Sequence, residues 1–474
     1  MSIPTAAPPA APEPSVSFWQ SAREAVAGTS RDFTEGSIGR AVALLSIPMV
    51  LEMSMESLFG ILDVFFVARL GADAVATVGV TESLILLIFA IALGLCMATT
   101  AMVARRVGEK DHEAASIAAV QAIILGLLVA LPLGLAGFFA KDLLRLMGAP
   151  AGVVEGGWGY TATMLGGNAT ILLLFLINAI FRGAGDASLA MRSLWLANIV
   201  NIVLDPCLIF GLGPFPEMGI TGAAVGTTIG RGVGVAYQLR ALGSGRGRVT
   251  VSRRHLRLQP QVMLSLLRVS MGGILQMLIA TASWLGLVRI LTPFGSAALA
   301  GYTIALRIIV VAILPSWGMS NAAATLVGQN LGAGKPERAE RSVWLTGFYN
   351  MGFLGLVAVV FIVFAEGFIG VFTADPDVLR VGVDCLRYVS YGYVFYAWGM
   401  VVVQAFNGAG DTMTPTYINI FCYWLWQIPL AYGLSSTMGM GPQGVFLAIT
   451  ISESTTALVG LLVFRRGRWK TSTI

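Results

Sequence analysis

Gly71-Ala72-Asp73-Ala74-Val75-Ala76 recurs as Gly295-Ser296-Ala297-Ala298-Leu299-Ala300, and Val107-Gly108-Glu109-Lys110 recurs as Leu331-Gly332-Ala333-Gly334, both at an offset of 224. Phe181-Arg182-Gly183-Ala184-Gly185-Asp186 returns as Phe406-Asn407-Gly408-Ala409-Gly410-Asp411 at 225, and Asp205-Pro206 falls on Ile428-Pro429 at 223. The halves are one unit duplicated in the same orientation. Carried into the apolar segments, these offsets set Glu56, Asp63, Asn178, Asn201, Asp205 and Thr227 against Ala280, Leu287, Val403, Trp424, Ile428 and Ile449. Buried polarity is therefore expected in the first half alone, and a scaffold needing only packing would not hold carboxylates on one side.

The 474 residues are 56% hydrophobic and 12% charged, with mean hydropathy +0.79. Soluble domains run near a quarter charged, so this composition excludes an ordinary soluble domain. Stretches long enough to cross a bilayer, roughly 20 residues each, fall at 41–67, 75–103, 116–139, 157–181, 190–212 and 219–239. The second half repeats them at 264–290, 297–328, 343–368, 382–407, 415–435 and 442–464. None alternates with the period of two that a barrel strand needs, so each must satisfy its own backbone as a helix. The expected fold is an all-α integral membrane protein of twelve transmembrane helices, in two six-helix pseudosymmetric bundles around a central cavity. The 56 glycines suit helices packed closely together.

Basic residues set the orientation. Arg105, Arg106 and Lys110; Arg182 and Arg192; Arg240, Arg246, Arg248, Arg253, Arg254 and Arg257; Lys335, Arg338 and Arg341; and Arg465, Arg466, Arg468 and Lys470 all fall in alternate connections or the tail. Both termini are thereby assigned to the cytoplasmic side. This asymmetry explains the pI of about 9.1 without a nucleic-acid partner and leaves lipid headgroups as the surface contact. The chain divides into a leader (1–37), an N-lobe (38–243), a basic cytoplasmic linker (244–261), a C-lobe (262–466) and a tail (467–474). The leader lacks the basic and apolar regions of a cleaved signal peptide, and its segment Phe18 to Val26 reads as an interfacial helix or a tail. Cys96, Cys207, Cys385 and Cys422 have no paired spacing and read as packing residues. His112 and His255 form no ligand cluster, so no metal centre or cofactor is expected.

Glu52, Glu56 and Asp63, four and seven residues apart, share one helix face. Three carboxylates on a stripe must face a wet cavity or a partner, because a charge at mid-membrane costs a few kcal/mol or more. Glu52 is also consistent with a hydrated place at one end of the cavity. Asn201 and Asp205, one turn apart, form a second polar spot, to which Asn178 and Thr227 add neutral oxygens. Such carboxylates can take a proton from one side and release it to the other, the coupling element of an antiporter; Asp63, Asn201, Asp205 and Thr227 together could also hold Na+. Pro48, fifteen residues before Asp63, removes a backbone donor and predicts a kink. Met53, Met55, Trp284, Trp398 and Trp424 are candidates to line a lipophilic pocket.

Pro48 with Asp63 and Val67-Ala68-Arg69-Leu70-Gly71, the Phe181–Asp186 stretch, Asn201 to Pro206, and Val327-Gly328-Gln329-Asn330-Leu331-Gly332-Ala333-Gly334 together resemble the multidrug and toxic compound extrusion transporters. The resemblance spans residues 38–466. It implies a monomeric exporter of cationic lipophilic compounds, driven by inward proton or sodium flow and rocking between outward-open and inward-open states. One branch of that family uses acids in helices seven and ten, where this chain has Ala280 and Tyr396. The other uses an N-lobe aspartate pair, matched by Asp63 and Asp205 with Asn178, Asn201 and Thr227. Glu56, where the family more often has glutamine, and the added Glu52 are departures.

Three rivals differ in what they require. A lipid-linked oligosaccharide flippase would need cavity arginines for pyrophosphate, with Arg289 and Arg307 the candidates, whereas the deep charges read as mainly acidic. A major-facilitator permease would need a Gly-x-x-x-Asp-Arg stretch where Ala104-Arg105-Arg106-Val107-Gly108 stands. A prenyl transferase would need aspartate-rich metal motifs, but Asp186 and Asp411 are single and expected to cap the following helices. The chain is therefore read as a transporter and not an enzyme.

Overall fold

The computed structural model describes residues 17–29, 31–245 and 247–474; residues 1–16 and Ser30 of the leader and Arg246 of the linker lie outside the described residues. The described chain is built from α1 (Phe18–Ala27), α2 (Ile38–Ala68), α3 (Ala72–Gly108), α4 (His112–Leu135), α5 (Ala140–Leu146), α6 (Ala151–Gly166), α7 (Asn168–Ala184), α8 (Ala187–Phe210) and α9 (Ile220–Gly243). The second half contributes α10 (Pro260–Leu291), α11 (Ser296–Gly332), α12 (Pro336–Gly370), α13 (Pro376–Tyr391), α14 (Tyr393–Gly408), α15 (Met413–Asn419), α16 (Ile428–Tyr432) and α17 (Pro442–Arg465), with π-helical turns on both sides of α16.

Each half supplies six spanning elements. In the first they are α2, α3, α4 with α5, α6 with α7, α8 and α9; in the second, α10, α11, α12, α13 with α14, the 413–437 segment, and α17. Eight are plainly long and apolar among the described residues, and the pair α13 and α14, bent by 58°, makes nine. The other three are the unusual ones. The carboxylates and Pro48 lie on α2, α9 has Arg231 among glycines and threonines, and 413–437 is divided by its π-helical turns. The stretches read as continuous at 157–181 and 382–407 are in fact broken at Gly167 and Gly392, an offset of 225. Small residues at these breaks admit a neighbour: a methyl on Gly167 would stand 2.7 Å from Thr228, and one on Gly392 3.1 Å from Thr450.

The N-lobe core joins Leu95, Val103, Leu125, Leu172, Ile177, Leu194 and Val235; the C-lobe core joins Leu287, Tyr302, Leu354, Leu386, Tyr393 and Phe446. The first and last described segments lie at one end of the molecule. Segment 24–36 is held there by Arg192, which donates to Val26 and Ala27 carbonyls at 2.8 Å, and by Arg248, which donates to the Arg31 carbonyl. From the other lobe, Lys335 donates to the Thr34 carbonyl (2.9 Å) and Arg338 to the carbonyls of Phe33, Glu35 and Gly36. The tail closes the same end: Arg105 donates to the Ser472 carbonyl, and Lys470 pairs with Glu337 (3.1 Å) and Glu340 (2.6 Å). The 244–261 linker is docked rather than free, for Gln121 donates to the Arg257 carbonyl at 2.9 Å and His255 sits 3.0 Å from Glu113. Asp411 caps as expected, accepting from Thr414 N at 3.1 Å, whereas the Asp186 side chain makes no cap bond and faces Arg248 instead.

The lobes meet near this terminal end through glycine. A methyl on Gly108 would collide with the Gln329 carbonyl, one on Gly332 with that of Arg105, and one on Gly318 with that of Met49. Met49, Leu45 and Phe33 join Ala322 and Leu326 of the other lobe in one buried cluster. Farther along the same helices, nothing lies within 4 Å of a methyl placed on Gly60, Gly71, Gly79 or Gly295. The structure is sealed at the terminal end, and its central cavity begins just beyond the seal.

Candidate functional site

Pro48 lies inside α2, which continues through it as one helix although the Leu44 carbonyl loses its usual donor. One turn later the stripe of acids begins. Glu52 is fully buried, with Oε1 accepting from Arg182 Nη1 at 2.7 Å and from Asn178 Nδ2 at 2.9 Å. Asn178 in turn accepts at Oδ1 from Ser193 Oγ (2.8 Å) and Gln238 Nε2 (2.6 Å), so α2, α7, α8 and α9 share one network. This corrects two expectations. Glu52 is not hydrated at a cavity end, and Arg182 is a buried counter-ion instead of a loop charge marking topology. A carboxylate at zero exposure requires a cation close by, and the helix-end position of Arg182 supplies it.

Glu56 is partly buried. Its Oε2 accepts from Asn198 Nδ2 at 3.1 Å, and its Oε1 stands 3.5 Å from Arg231 Nη2. Asn201 Nδ2 donates to Asp205 Oδ1 at 3.0 Å and to Thr227 Oγ1 at 3.1 Å, tying α8 to α9. Gly226 makes room for this: a methyl there would stand 2.5 Å from Asp205 Oδ1. Asp205 is 1% exposed. Asp63 is partly buried, has no hydrogen-bond or salt-bridge partner among the described residues, and lies within Coulombic range of Asp205, Glu82 and Arg231. The seven expected residues thus fall into two linked groups. Glu52 and Asn178 form one, Asn201, Asp205 and Thr227 the other, while Glu56 and Asp63 stand on α2 beside them.

A cavity of about 170 Å³ opens between the lobes. Met53, Glu56, Phe89, Met97, Phe175 and Arg182 line it from the N-lobe, and Trp317, Asn321, Gln404 and Asn407 from the C-lobe. Of the expected apolar lining, Met53 is there; Trp398 packs instead between Trp344 and Phe348, and Trp424 donates to the Ile279 carbonyl. Asp63 and Asp205 are not among the lining residues. The cavity presents Glu56 with Arg182, so its deep charge is not purely acidic.

The expectation that polarity belongs to one lobe is also corrected. At offsets of 224 and 225, Glu52 and Arg182 meet Gln276 and Asn407, and Gln276 Nε2 donates to Asn407 Oδ1 at 3.1 Å. The same contact is an ion pair in one lobe and an amide pair in the other. Offset 222, which relates Thr227 to Ile449, relates Arg231 to Glu453, whose Oε2 accepts from Tyr423 OH at 3.5 Å. Sequence reasoning missed Arg182, Arg231 and Glu453 as partners. The repeat register was the signal available, because it sets each of them against an oppositely charged or neutral residue.

The sequence profile of the MatE family matches residues 48–207 and 273–433, one match in each lobe. A Bacillus subtilis protein named probable multidrug resistance protein YpnP is 26% identical over 446 residues, 93% of this chain and 97% of its own. A Shewanella oneidensis protein named FAD transporter is 26% identical, covering 88% and 92% respectively. The chain also superposes on a solved outward-facing conformation of a multidrug resistance MATE family transporter of the MOP superfamily with a TM-score of 0.86, 28% identity, and coverage of 92% and 97%.

Proposed function

This chain belongs to the MatE family, integral membrane transporters of small molecules and not enzymes, and from that premise we propose that it exports cationic lipophilic compounds in exchange for protons or sodium by alternating access. One observation carries the reading. Of the four acids on α2 and α8, Glu52 and Glu56 each face an arginine, whereas Asp63 and Asp205 have no cationic partner in salt-bridge range among the described residues. A charge left uncompensated in a low-dielectric bundle is where a proton or a metal cation is gained and lost. Asp63, Asn201, Asp205 and Thr227 offer only oxygen donors besides the amide, which suits H+ and fits Na+ as well. No other cofactor enters the cycle.

The arginine-rich connections support a cytoplasmic place for both termini in a bacterial inner membrane, with the cavity opening outward beyond the seal. The pseudosymmetric lobes complete the cavity within one chain, which supports a monomer. Each charge carried inward gains about 2.3 kcal/mol per 100 mV. Exchange of one monocation for one proton is therefore electroneutral and draws on the pH difference alone.

The test is efflux of tetraphenylphosphonium from proteoliposomes under an imposed pH gradient, with a sodium gradient as the second arm. Asp63→Asn and Asp205→Asn should each abolish driven efflux; undiminished efflux in both would reject the coupling role. A second reading has a specific observation behind it. Arg182 lines the cavity and a relative is named FAD transporter, which favours cargo bearing phosphate or pyrophosphate, as a lipid-linked oligosaccharide flippase would also carry. Flavin dinucleotide and lipid-linked sugar in the same liposomes separate the two.

A further inference from the structure

Arg231 projects from the middle of α9, one turn after Thr227, and its side chain is 6% exposed. The guanidinium lies over the rings of Phe59 at 5.6 Å and Phe175 at 5.4 Å. Among the described residues its sole ion pair is the contact of Nη2 with Glu56 at 3.5 Å, and Nε and Nη1 have no hydrogen-bond partner. Charged hydrogen bonds of this type normally close to about 2.7–2.9 Å, as Arg182 does on Glu52 at 2.7 Å. Arg231 is thus held by ring faces and by charge, with two buried donors idle. Idle buried donors are costly, so their retention calls for a role beyond packing.

Glu56 and Asp63 on α2 and Tyr160 on α6 face Arg231, and Glu82 on α3 and Asp205 on α8 lie beyond them, within Coulombic range of Asp63 and Tyr160. Glu52 is matched by Arg182, and Asp205 is closed off under Asn201. Glu56 alone both lines the central cavity and faces Arg231. At the repeat-related position the C-lobe has Glu453, so a cation here is not a requirement of the scaffold.

We infer that Arg231 is a tethered counter-cation that cancels Glu56 and sets the charge of cargo the chamber accepts. Glu56 is the carboxylate of the chamber lining, so with it neutralised a second positive charge on the cargo finds no free partner there, and monocations are selected over dications. This rests on the cation-export reading above and names its selectivity device.

The experiment is binding of tetraphenylphosphonium and of an alkane-linked bis(triphenylphosphonium) to the full chain in nanodiscs, read as the ratio of the two Kd values. Wild type should favour the monocation. R231Q should move the ratio at least about tenfold toward the dication, equal to about 1.4 kcal/mol, because it frees one carboxylate. The neutral pair E56Q/R231Q should return the ratio to within about twofold of wild type, an outcome that a merely structural arginine would not produce. An unchanged ratio in R231Q overturns the inference while leaving cation export standing. Should R231Q fail to fold, E56Q decides: both probes should weaken there, the dication by about tenfold more, and equal weakening overturns the inference. Failure of wild type to bind either probe defeats the export reading itself.

Discussion

Replacing Arg182 by asparagine leaves Glu52 at zero exposure with one remaining donor, Asn178 Nδ2 at 2.9 Å, and with Oε2 already lacking a partner. Removing one member of a buried ion pair costs about 3–5 kcal/mol, because the surviving charge has lost both water and counter-ion. The other half of the molecule shows how that cost is avoided. Gln276 and Asn407 occupy the related positions and hydrogen-bond at 3.1 Å. E52Q/R182N should therefore lie within about 1 kcal/mol of wild type, a neutral amide pair carrying no desolvated charge. Thermal unfolding of the purified protein, followed by a thiol-reactive dye as buried Cys96, Cys385 and Cys422 become accessible, reads the order directly. The expected ranking is wild type, then the double variant close behind, then R182N far below. If R182N and the double variant unfold together, Arg182 acts through something other than Glu52 and the pairing argument is wrong.

At the seal, Gly332→Ala should drive the Arg105 carbonyl from its place and bias the lobes apart at the terminal end; labelling of cavity-lining Cys96 by an impermeant maleimide from that side should rise, in a Cys207→Ser background. Burial would raise the carboxyl of Glu24, but hydrogen bonds from Arg40 and Arg31 outweigh it and hold it below the ordinary 4.5. Its contribution to docking α1 is therefore present above about pH 4.5 and lost as pH falls through the lowered folded value; hydrogen exchange over 18–36 should accelerate there and not between pH 6 and 8. The hydrogen bond to Glu340 raises the Lys470 ammonium above 10.5, so that pair holds the tail through neutral pH and on the alkaline side releases it as pH passes the raised value, which exchange at Trp469 reads. Asn201→Ala removes the donor shared by Asp205 and Thr227 and should lower driven efflux by roughly tenfold with little change in cation Kd.

The two-lobed helical architecture was legible because duplication leaves a register that survives divergence, and because a bilayer restricts spanning segments to a few forms. The acids on α2 were legible for a related reason: Glu52, Glu56 and Asp63 interrupt an apolar helix where nothing local needs them. Their partners were not. Arg182 follows Phe181 in a turn motif beside other basic residues and so read as a topology charge; only the tertiary fold brings its side chain to Glu52 on α2. Arg231 lies in a glycine-rich stretch of ordinary helical character, and nothing in its own neighbourhood points to Glu56 on a helix 175 residues away. The breaks at Gly167 and Gly392 were hidden because hydropathy averages across a bend. A shared helix face can be counted from spacing, whereas a counter-ion is a tertiary fact that only the repeat register could have hinted at.

The central claim is that an uncompensated acid on α2 exchanges its proton for cargo. The most direct measurement is the number of protons released when tetraphenylphosphonium is added to the purified protein in weakly buffered solution near neutral pH. Wild type should release protons in proportion to cation bound, and Asp63→Asn should bind more weakly and release none. Equal release from Asp63→Asn and wild type would contradict the claim.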